Sequence, residues 1–361
     1  MNIIYQSIIA IFLWLLPLNL QALTYTIHDL GTLATDESYV TGINNQNAIV
    51  GYIKQSREVK DFIWEPNKGL IFLPYSSYQF PLINNHNQVA GIFWHKTDHW
   101  FKKNTYSKHV YIYHSDGSIQ DHYFPIHWEL EQLNVAWQTP SSFYEKDLGI
   151  IAFNDDQQIL VANSNEISKA TQFAIWQNGI FKDIDTNVIS IAYGINNRGV
   201  ILGRKWVQKA GQNIPMLVLY NPIDGTITEI MKDIHIINRQ LNDQGQVITL
   251  QISQDEMICK GSLWDPSKGL IELENFAPLA LNNCNQIVGF QISEIQNKKF
   301  VPLMWTPDEV ISLSQFIELD NIDSIWSEIC FFKAINDNGY IIGQGLFDKK
   351  KHAFVLIPHE K

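Results

Sequence analysis

The sequence predicts an all-β protein that folds as a seven-bladed β-propeller with four antiparallel strands in each blade. Two repeated motifs and the pairing of the chain ends support this prediction. The first motif is an apolar residue, then Asn, then Asn or Asp, and it recurs with its first Asn at Asn44, Asn84, Asn154, Asn196, Asn242, Asn282 and Asn336. Its spacing averages about 49 residues, which lies in the range of four-stranded propeller blades.

Each Asn motif predicts a tight hairpin turn. An Asn at the first position of a type I turn bonds the backbone two residues on, and the fourth position favours a residue that tolerates positive φ. Gly or Asn occupies that fourth position in every copy except the third, which has Gln157. A short apolar strand follows and usually ends in a glycine that permits close backbone approach, at Gly51, Gly91, Gly203, Gly289 and Gly343. Val161 and Thr249 stand at this position in the third and fifth copies.

The second motif is an alternating apolar strand that often ends in an aromatic residue, at 62–64, 110–113, 173–176, 217–220, 262–264, 303–305 and 352–355. Pro, Gly, Asn or Asp residues follow most copies, which indicates a second hairpin. A further short strand is then predicted at 70–73, 180–184, 226–230, 270–273 and 310–313. Each period therefore contains four strands, and no segment between the turns keeps the apolar spacing of a helix.

The two ends of the chain are predicted to complete one blade together. The last repeat ends at 356–358 without a fourth strand, whereas residues 25–31 read as a fourth strand with no blade before them. Their pairing would close the ring and hide two sheet edges. Because no Ser, Pro or Gly linker divides the chain, residues 23–361 are expected to form a single propeller domain.

Residues 1–22 are predicted to be a signal peptide. An apolar run from Ile8 to Leu16 is broken by Pro17, and the small residue Ala22 offers a cleavage site. The run is too short for a convincing membrane span. An uncleaved N-terminal anchor is the alternative, because the start of the segment has no Lys or Arg. The expected location is secreted, periplasmic or at the cell surface.

The motifs resemble those of the HAF-repeat family of extracellular repeat proteins. The residues that carry the resemblance are His352-Ala353-Phe354 with its aromatic-ended variants, the Asn turns with their following Ile-Val-Gly strands, and Asp29-Leu30-Gly31. The resemblance spans nearly the whole predicted mature chain, although the literal His-Ala-Phe occurs once. It implies export and a repeated β architecture, and it brings no catalytic residues.

Charge and motifs exclude several functional classes. The net charge is −11, and such a field repels phosphate backbones, so nucleic acid is not an expected partner. No nucleophile elbow, phosphate loop, zinc-protease or calcium-loop motif is present, and we expect no cofactor. Three cysteines, Cys259, Cys284 and Cys330, allow at most one disulfide. We expect a monomer.

Three long links are expected on one face of the ring, at 92–108, 125–149 and 314–332, and loops on a rigid scaffold are common binding sites. The leading hypothesis is therefore a non-enzymatic scaffold that binds a glycan, a peptide or an envelope protein there. The candidate ligand-binding residues are Trp94, His95, His99, Trp100, Tyr106, Trp128, Glu129 and Trp137. The alternative is that these rings form a small satellite core that holds the links.

A carbohydrate-active enzyme is the second functional hypothesis. Glu129, Glu131, Glu145 and Asp147 could flank a glycosidic bond if two of them lay about 5 to 9 Å apart. We predict no metal site, because His95 and His99 would lie about 13 Å apart on an extended strand.

Overall fold

The computed structural model describes residues 24–30, 37–55, 58–75, 79–97, 105–123, 149–164, 171–252, 259–292, 301–315, 317–318 and 326–359. Apart from one 3₁₀ turn at Leu313–Gln315, the regular structure in these segments is β-strand. The strands form seven separate antiparallel sheets arranged in a ring. The predicted seven-bladed β-propeller is confirmed.

The first six blades each contain four strands that are consecutive in the chain. Blade one contains β2 (Glu37–Ile43), β3 (Ile49–Gln55), β4 (Glu58–Glu65) and β5 (Gly69–Phe72). Blade two contains β6 (Gln79–Ile83), β7 (Val89–Thr97), β8 (Thr105–Tyr113) and β9 (Ile119–Tyr123). Blade three contains β10 (Gly149–Phe153), β11 (Ile159–Ser164), β12 (Thr171–Gln177) and β13 (Ile180–Ile184). Blade four contains β14 (Ile191–Ile195), β15 (Ile201–Lys209), β16 (Gln212–Tyr220) and β17 (Ile227–Lys232). Blade five contains β18 (Ile236–Leu241), β19 (Val247–Ile252), β20 (Cys259–Asp265) and β21 (Gly269–Leu273). Blade six contains β22 (Phe276–Leu281), β23 (Ile287–Gln291), β24 (Pro302–Trp305) and β25 (Val310–Ser312).

Blade seven joins the two ends of the chain, as the sequence predicts. Its strands from the inside outwards are β27 (Trp326–Ile335), β28 (Ile341–Phe347), β29 (Lys350–His359) and β1 (Thr24–Asp29). Strand β1 pairs antiparallel with β29 from Thr24↔His359 to Asp29↔Phe354. A fifth strand, β26 (Ile317–Glu318), pairs parallel with the outer edge of β1. The N-terminal strand is therefore held on both of its edges.

The first strand of every blade is the innermost, and these strands contact one another around a central channel. The Asn turns join the first and second strands, so they surround one end of the channel. We call that side the Asn face. The opposite side carries the links between blades and the turns between second and third strands, and we call it the link face.

The apolar core is divided among the seven interfaces between neighbouring blades. One buried cluster occupies each interface: for example, Val40 and Phe62 of blade one pack with Val355 of blade seven, and Ile92 of blade two packs with Trp176 of blade three. Because both faces of every blade are covered, the middle strands are apolar on both faces, as Phe62 and Ile63 of β4 show by packing into two different clusters.

A β-bulge interrupts the first strand of every blade. In five blades it lies near the glycine of the Ile-Val-Gly motif, and in blades three and five it lies near Val161 and Thr249. In blade one the extra residue falls between Val40 and Gly42. A Cβ on Gly51, which pairs with Val40, would lie 2.1 Å from the Tyr39 carbonyl oxygen. The glycine is therefore required where the bulged strand comes close.

Parts of two of the expected long links are strand. Within 92–108, β7 extends to Thr97 and β8 begins at Thr105, and the two strands pair; residues 98–104 lie outside the described residues. Within 314–332, β26 and the start of β27 lie in blade seven. Pairing with adjacent strands thus extends the regular structure into segments that the motif spacing assigned to links. The segment 125–149 lies outside the described residues except for Gly149, which begins β10.

Candidate functional site

The seven repeat Asn residues join neighbouring blades on the Asn face. Each is buried, and its side-chain amide donates to the backbone carbonyl of the next repeat Asn, as Asn44 does to Asn84 at 2.9 Å. The last of these bonds runs from Asn336 back to Asn44 at 2.8 Å, so the set forms a closed circle. The Oδ1 atom of Asn44 also accepts from the backbone of Gln46 and Ala48. The predicted turn bond is present, and the bond between blades was not predicted.

The second residue of each motif forms another closed circle nearer the axis. The backbone N–H of each donates to the side-chain Oδ1 of the next, around the ring Asn45, Asn85, Asp155, Asn197, Asp243, Asn283 and Asp337. These bonds are 2.7 to 2.9 Å long. Side-chain amides satisfy further carboxylate oxygens, as Asn283 does for Asp243 and Asp337.

A small cavity of about 170 Å³ lies at this end of the channel. It is lined by residues from both sides of the ring, including Asn45, Asn85 and Asp243. Because the polar groups around it bond to one another, the Asn face is a network that joins blades. The structure therefore supports the structural role that we expect for the repeat Asn residues.

The link-face end of the channel is different, because it exposes large apolar side chains on the innermost strands. Phe80 of β6, Ile237 of β18 and Phe331 of β27 are 43%, 59% and 41% exposed. Ile234, in the link before β18, is also exposed. Each of the three strand residues lies four or five positions before its repeat Asn. We call Phe80, Ile237 and Phe331 the apolar mouth.

An aromatic stack supports the apolar mouth at blades one and two. The ring of Tyr52 lies between those of Tyr39 and Phe80, with centroid distances of 4.8 and 4.9 Å. The Tyr39 hydroxyl donates to Glu37 at 2.8 Å. Burial raises the pKa of Tyr52 to about 12, so its hydroxyl stays neutral at ordinary pH. The stack holds Phe80 against a rigid neighbour while leaving one part of its ring open to solvent.

A buried ion network anchors the link between blades four and five on the same face. The Asp233 carboxylate is fully buried and accepts from Arg204 Nε at 2.6 Å, from Arg239 Nη2 at 2.5 Å and from the Tyr193 hydroxyl at 2.7 Å. The Arg239 guanidinium also lies 4.3 Å from the Tyr193 ring centroid. Burial alone would raise the pKa of Asp233, but the hydrogen bonds from Arg204, Arg239 and Tyr193 outweigh it and lower that pKa. No repeat in the sequence marks these residues, so the network was not predicted.

The predicted ligand-binding residues divide into two groups. Trp94 and His95 lie on β7, and Tyr106 lies on β8. His95 is exposed, and its ring lies 5.1 Å from that of His109. The others, His99, Trp100, Trp128, Glu129 and Trp137, lie outside the described residues, as do Glu131, Glu145 and Asp147. The structure thus leaves the predicted site and the predicted carboxylate pair untested.

One aromatic residue near this predicted site does belong to a packed cluster. Phe93 is buried, and its ring stacks on Tyr75 at 4.1 Å and also contacts Tyr111. Phe93 therefore belongs to the packed core of blade two.

In the part of the chain that the structure describes, no group of His, Cys, Asp or Glu could hold a metal ion. No described helix is long and apolar enough to cross a membrane. Cys259, Cys284 and Cys330 are free thiols; Cys284 is exposed and Cys330 is half-buried.

Comparison with solved structures finds propellers of very different sequence. The β-propeller domain of the trilobed protease from Pyrococcus furiosus has a TM-score of 0.54 and 10% identity, over 91% of this chain and 96% of that one. An acylaminoacyl peptidase from Pyrococcus horikoshii has a TM-score of 0.51 and 11% identity, over 86% of this chain and 50% of that one. An uncharacterized protein from Listeria monocytogenes EGD-e has a TM-score of 0.50 and 11% identity, over 83% and 91% of the two chains.

These three structures share the propeller fold with this chain. At such low identity they carry no activity over to this chain. The Pyrococcus furiosus domain is described as having an open velcro topology, whereas here β1 pairs with β29. No protein-family model matches this chain, and no curated protein matches it. The HAF-repeat resemblance therefore remains a prediction.

Proposed function

We propose that this protein is an exported, non-enzymatic binding scaffold whose ligand docks at the apolar mouth on the link face. The observation that carries the proposal is the contrast between the two ends of the channel. Polar groups at the Asn face bond to one another in closed circles, whereas Phe80, Ile237 and Phe331 leave large apolar surfaces open at the link face. Exposed apolar surface framed by polar groups commonly marks a binding site.

The chemistry of the mouth favours a ligand with a flat or branched apolar part, which a glycan ring face, a peptide side chain or an envelope protein would offer. Aromatic rings such as Phe80 bind such groups through apolar contact. The long hairpin of β7 and β8 and that of β15 and β16 extend on the same face, from blades two and four. Trp206, on the second of these hairpins, is 49% exposed. These two hairpins therefore flank the apolar mouth.

A glycan and peptide array, probed with residues 23–361, tests this proposal. Phe80→Ser and Phe331→Ser should each lose most of the array signal while remaining folded. Ile223→Ser is the matched control, because Ile223 is 84% exposed in the turn between β16 and β17 on the Asn face. If the control loses binding as much as the mouth variants, or if neither mouth variant loses it, the proposal is wrong.

Export is a separate part of the proposal and rests on the sequence of residues 1–22. N-terminal sequencing of the protein recovered from the periplasm or the medium should find Leu23 as the first residue. A chain that keeps Met1 and sediments with membranes would indicate the uncleaved anchor instead.

The mature protein is also proposed to be a monomer. Light scattering of the mature protein should give the mass of a monomer.

A further inference from the structure

Lys333 occupies an unusual position in the innermost strand of blade seven. The side chain of its neighbour Phe332 is fully buried in the interface with blade six. Lys333 itself is the extra residue of a bulge, between the pairs Phe332↔Gly343 and Ala334↔Ile342. Its side chain is exposed. Because β27 borders the channel, the bulge directs Lys333 away from the packed interface and towards channel water.

A bond across the channel supports this placement. The Gln240 side-chain amide of blade five reaches the Lys333 carbonyl oxygen of blade seven at 3.5 Å. These blades are not neighbours, because blade six lies between them. The contact therefore crosses the channel, and it brings the amide of Gln240 close to the backbone of Lys333.

The Lys333 ammonium has no acceptor in the part of the chain that the structure describes, since no hydrogen bond or ion pair involves its Nζ atom there. Its side chain reaches channel water, but the surrounding ring removes part of the hydration of the ammonium and so lowers its pKa. The other cation on an innermost strand of this region, Arg239, is already bound to Asp233. In a protein whose net charge is −11, a channel-facing ammonium without a protein acceptor in the described segments is available to an anion from solution.

We propose that the central channel holds a site for one carboxylate group, which binds the Lys333 ammonium and the side-chain amide of Gln240. A carboxylate accepts from an ammonium and from an amide N–H at the same time. One free cation suits one negative charge. Asp155, Asp243 and Asp337 lie at the Asn-face end, where Asp337 is about 13 Å from Lys333 along the strand direction, and they would repel a more highly charged anion. This site does not depend on the proposal that the apolar mouth binds a ligand.

The carboxylate could be a free small acid or the terminus of a longer ligand that enters from the link face. Acylation of lysines in the intact protein, followed by peptide mass spectrometry, separates the two sources. The probes are acetate for the free acid, N-acetylglycine for a chain terminus and N-acetylglycinamide as the neutral control, each at the ionic strength of a chloride reference. Lys182, exposed on β13, is the internal reference lysine.

The expected result is that acetate, N-acetylglycine or both slow the acylation of Lys333 but not that of Lys182. Protection should reach about tenfold at about ten times the dissociation constant. N-acetylglycinamide should not protect. Gln240→Leu should weaken the protection while leaving Lys333 reactive. Protection by acetate alone would identify a small-acid site, and protection by N-acetylglycine alone would identify a site for a chain terminus.

Equal effects on Lys333 and Lys182, or no protection beyond that of chloride, would overturn the proposal. A second measurement uses stability instead of reactivity. The protecting acid should raise the melting temperature of the parent protein and of Lys182→Met, but not that of Lys333→Met. A rise in all three proteins would also overturn the proposal, because it would show a general salt effect.

Discussion

Gly343 of β28 pairs with Phe354 of β29, and a Cβ on this glycine would lie 2.7 Å from the Phe354 ring. Gly51 and Phe62 of blade one stand in the same relationship. In blades one and seven the two repeated motifs of the sequence are thus two halves of one contact. Where the glycine is absent, its partner is small: Thr249 pairs with Ser262, and Val161 pairs with Ala174.

Replacement of the paired glycine should destabilise the fold. In Gly343→Ala the new Cβ would lie 2.1 Å from the Phe331 carbonyl oxygen, and backbone cannot move away as a flexible side chain can. We expect a loss of at least about 2 kcal/mol in the free energy of unfolding, measured by denaturant titration. Gly194→Ala is the matched control, because nothing lies within 4 Å of its added Cβ.

The same pair offers a sharper test through a double variant. If ring and glycine form one contact, adding Phe354→Ser to Gly343→Ala should cost less than the sum of the two single changes. Rescue should be incomplete, because the contact with the Phe331 carbonyl remains. Strict additivity of the two changes would contradict the account.

The closed circle of Asn bonds should contribute to stability through two separable interactions. Asn336→Ala removes the side-chain oxygen that accepts from the backbone N–H groups of Asn338 and Tyr340. It also removes the amide that donates to the Asn44 carbonyl. We expect a loss of about 2–4 kcal/mol in unfolding free energy. Asn336→Asp keeps the acceptor but places a carboxylate oxygen against the Asn44 carbonyl. It should therefore also destabilise the protein.

Asn213→Ala is the control for both changes, since Asn213 is exposed on β16. Thermal or denaturant unfolding of the three variants provides the comparison. If Asn336→Asp were as stable as the parent, the circle between blades would contribute nothing, and the turn bonds alone would explain the repeat Asn.

Removal of Asp233 should destabilise the protein in a pH-dependent way. Asp233→Asn leaves Arg204 and Arg239 without their carboxylate, and we expect a loss of about 3 kcal/mol in unfolding free energy at neutral pH. The pKa of Asp233 is lowered in the fold. Its contribution is therefore present above the unfolded pKa, about 4, and is lost as the pH falls through the folded pKa.

The difference in unfolding free energy between parent and Asp233→Asn should consequently shrink as the solution becomes more acidic than about pH 4. Denaturant titrations at a series of pH values measure it. A difference that stays constant from neutral pH to strongly acidic pH would show that the ionised carboxylate is not the source of the stability.

Closure of the ring by β1 should be needed for a folded monomer. In the structure His352 lies 3.2 Å from the Asp29 carboxylate, and the Leu30 N–H donates to the Ala353 carbonyl at 2.9 Å. A chain that begins at residue 31 would expose the edge of β29, and we expect it to self-associate. A chain that begins at Thr24 is the control and should remain monomeric. Light scattering distinguishes the two results.

The sequence was sufficient for the architecture because local chemistry specifies it. The Asn turns adopt positive φ at the fourth position even where Gln157 replaces Gly or Asn, with φ 59°. The contacts between blades could not be predicted in this way. Residues such as Tyr193 and Asp233 are 40 positions apart, and no local pattern links them.

The candidate site was predicted less well than the fold. The spacing of the motifs suggested a long link at 92–108, yet β7 and β8 extend into its two ends and pair with each other. The apolar mouth was missed because Phe80 and Phe331 look like ordinary strand residues. Their position four or five residues before a repeat Asn was the available signal, and it can be interpreted once the innermost strands are known to surround a channel.

Hydrogen–deuterium exchange of the mature protein with and without a ligand from the array tests the link-face assignment most directly. The account predicts slower exchange at the link-face ends of β6, β18 and β27, with unchanged exchange at the turns that follow Asn84, Asn242 and Asn336. Protection confined to those Asn turns would place the ligand at the opposite end of the channel and contradict the account.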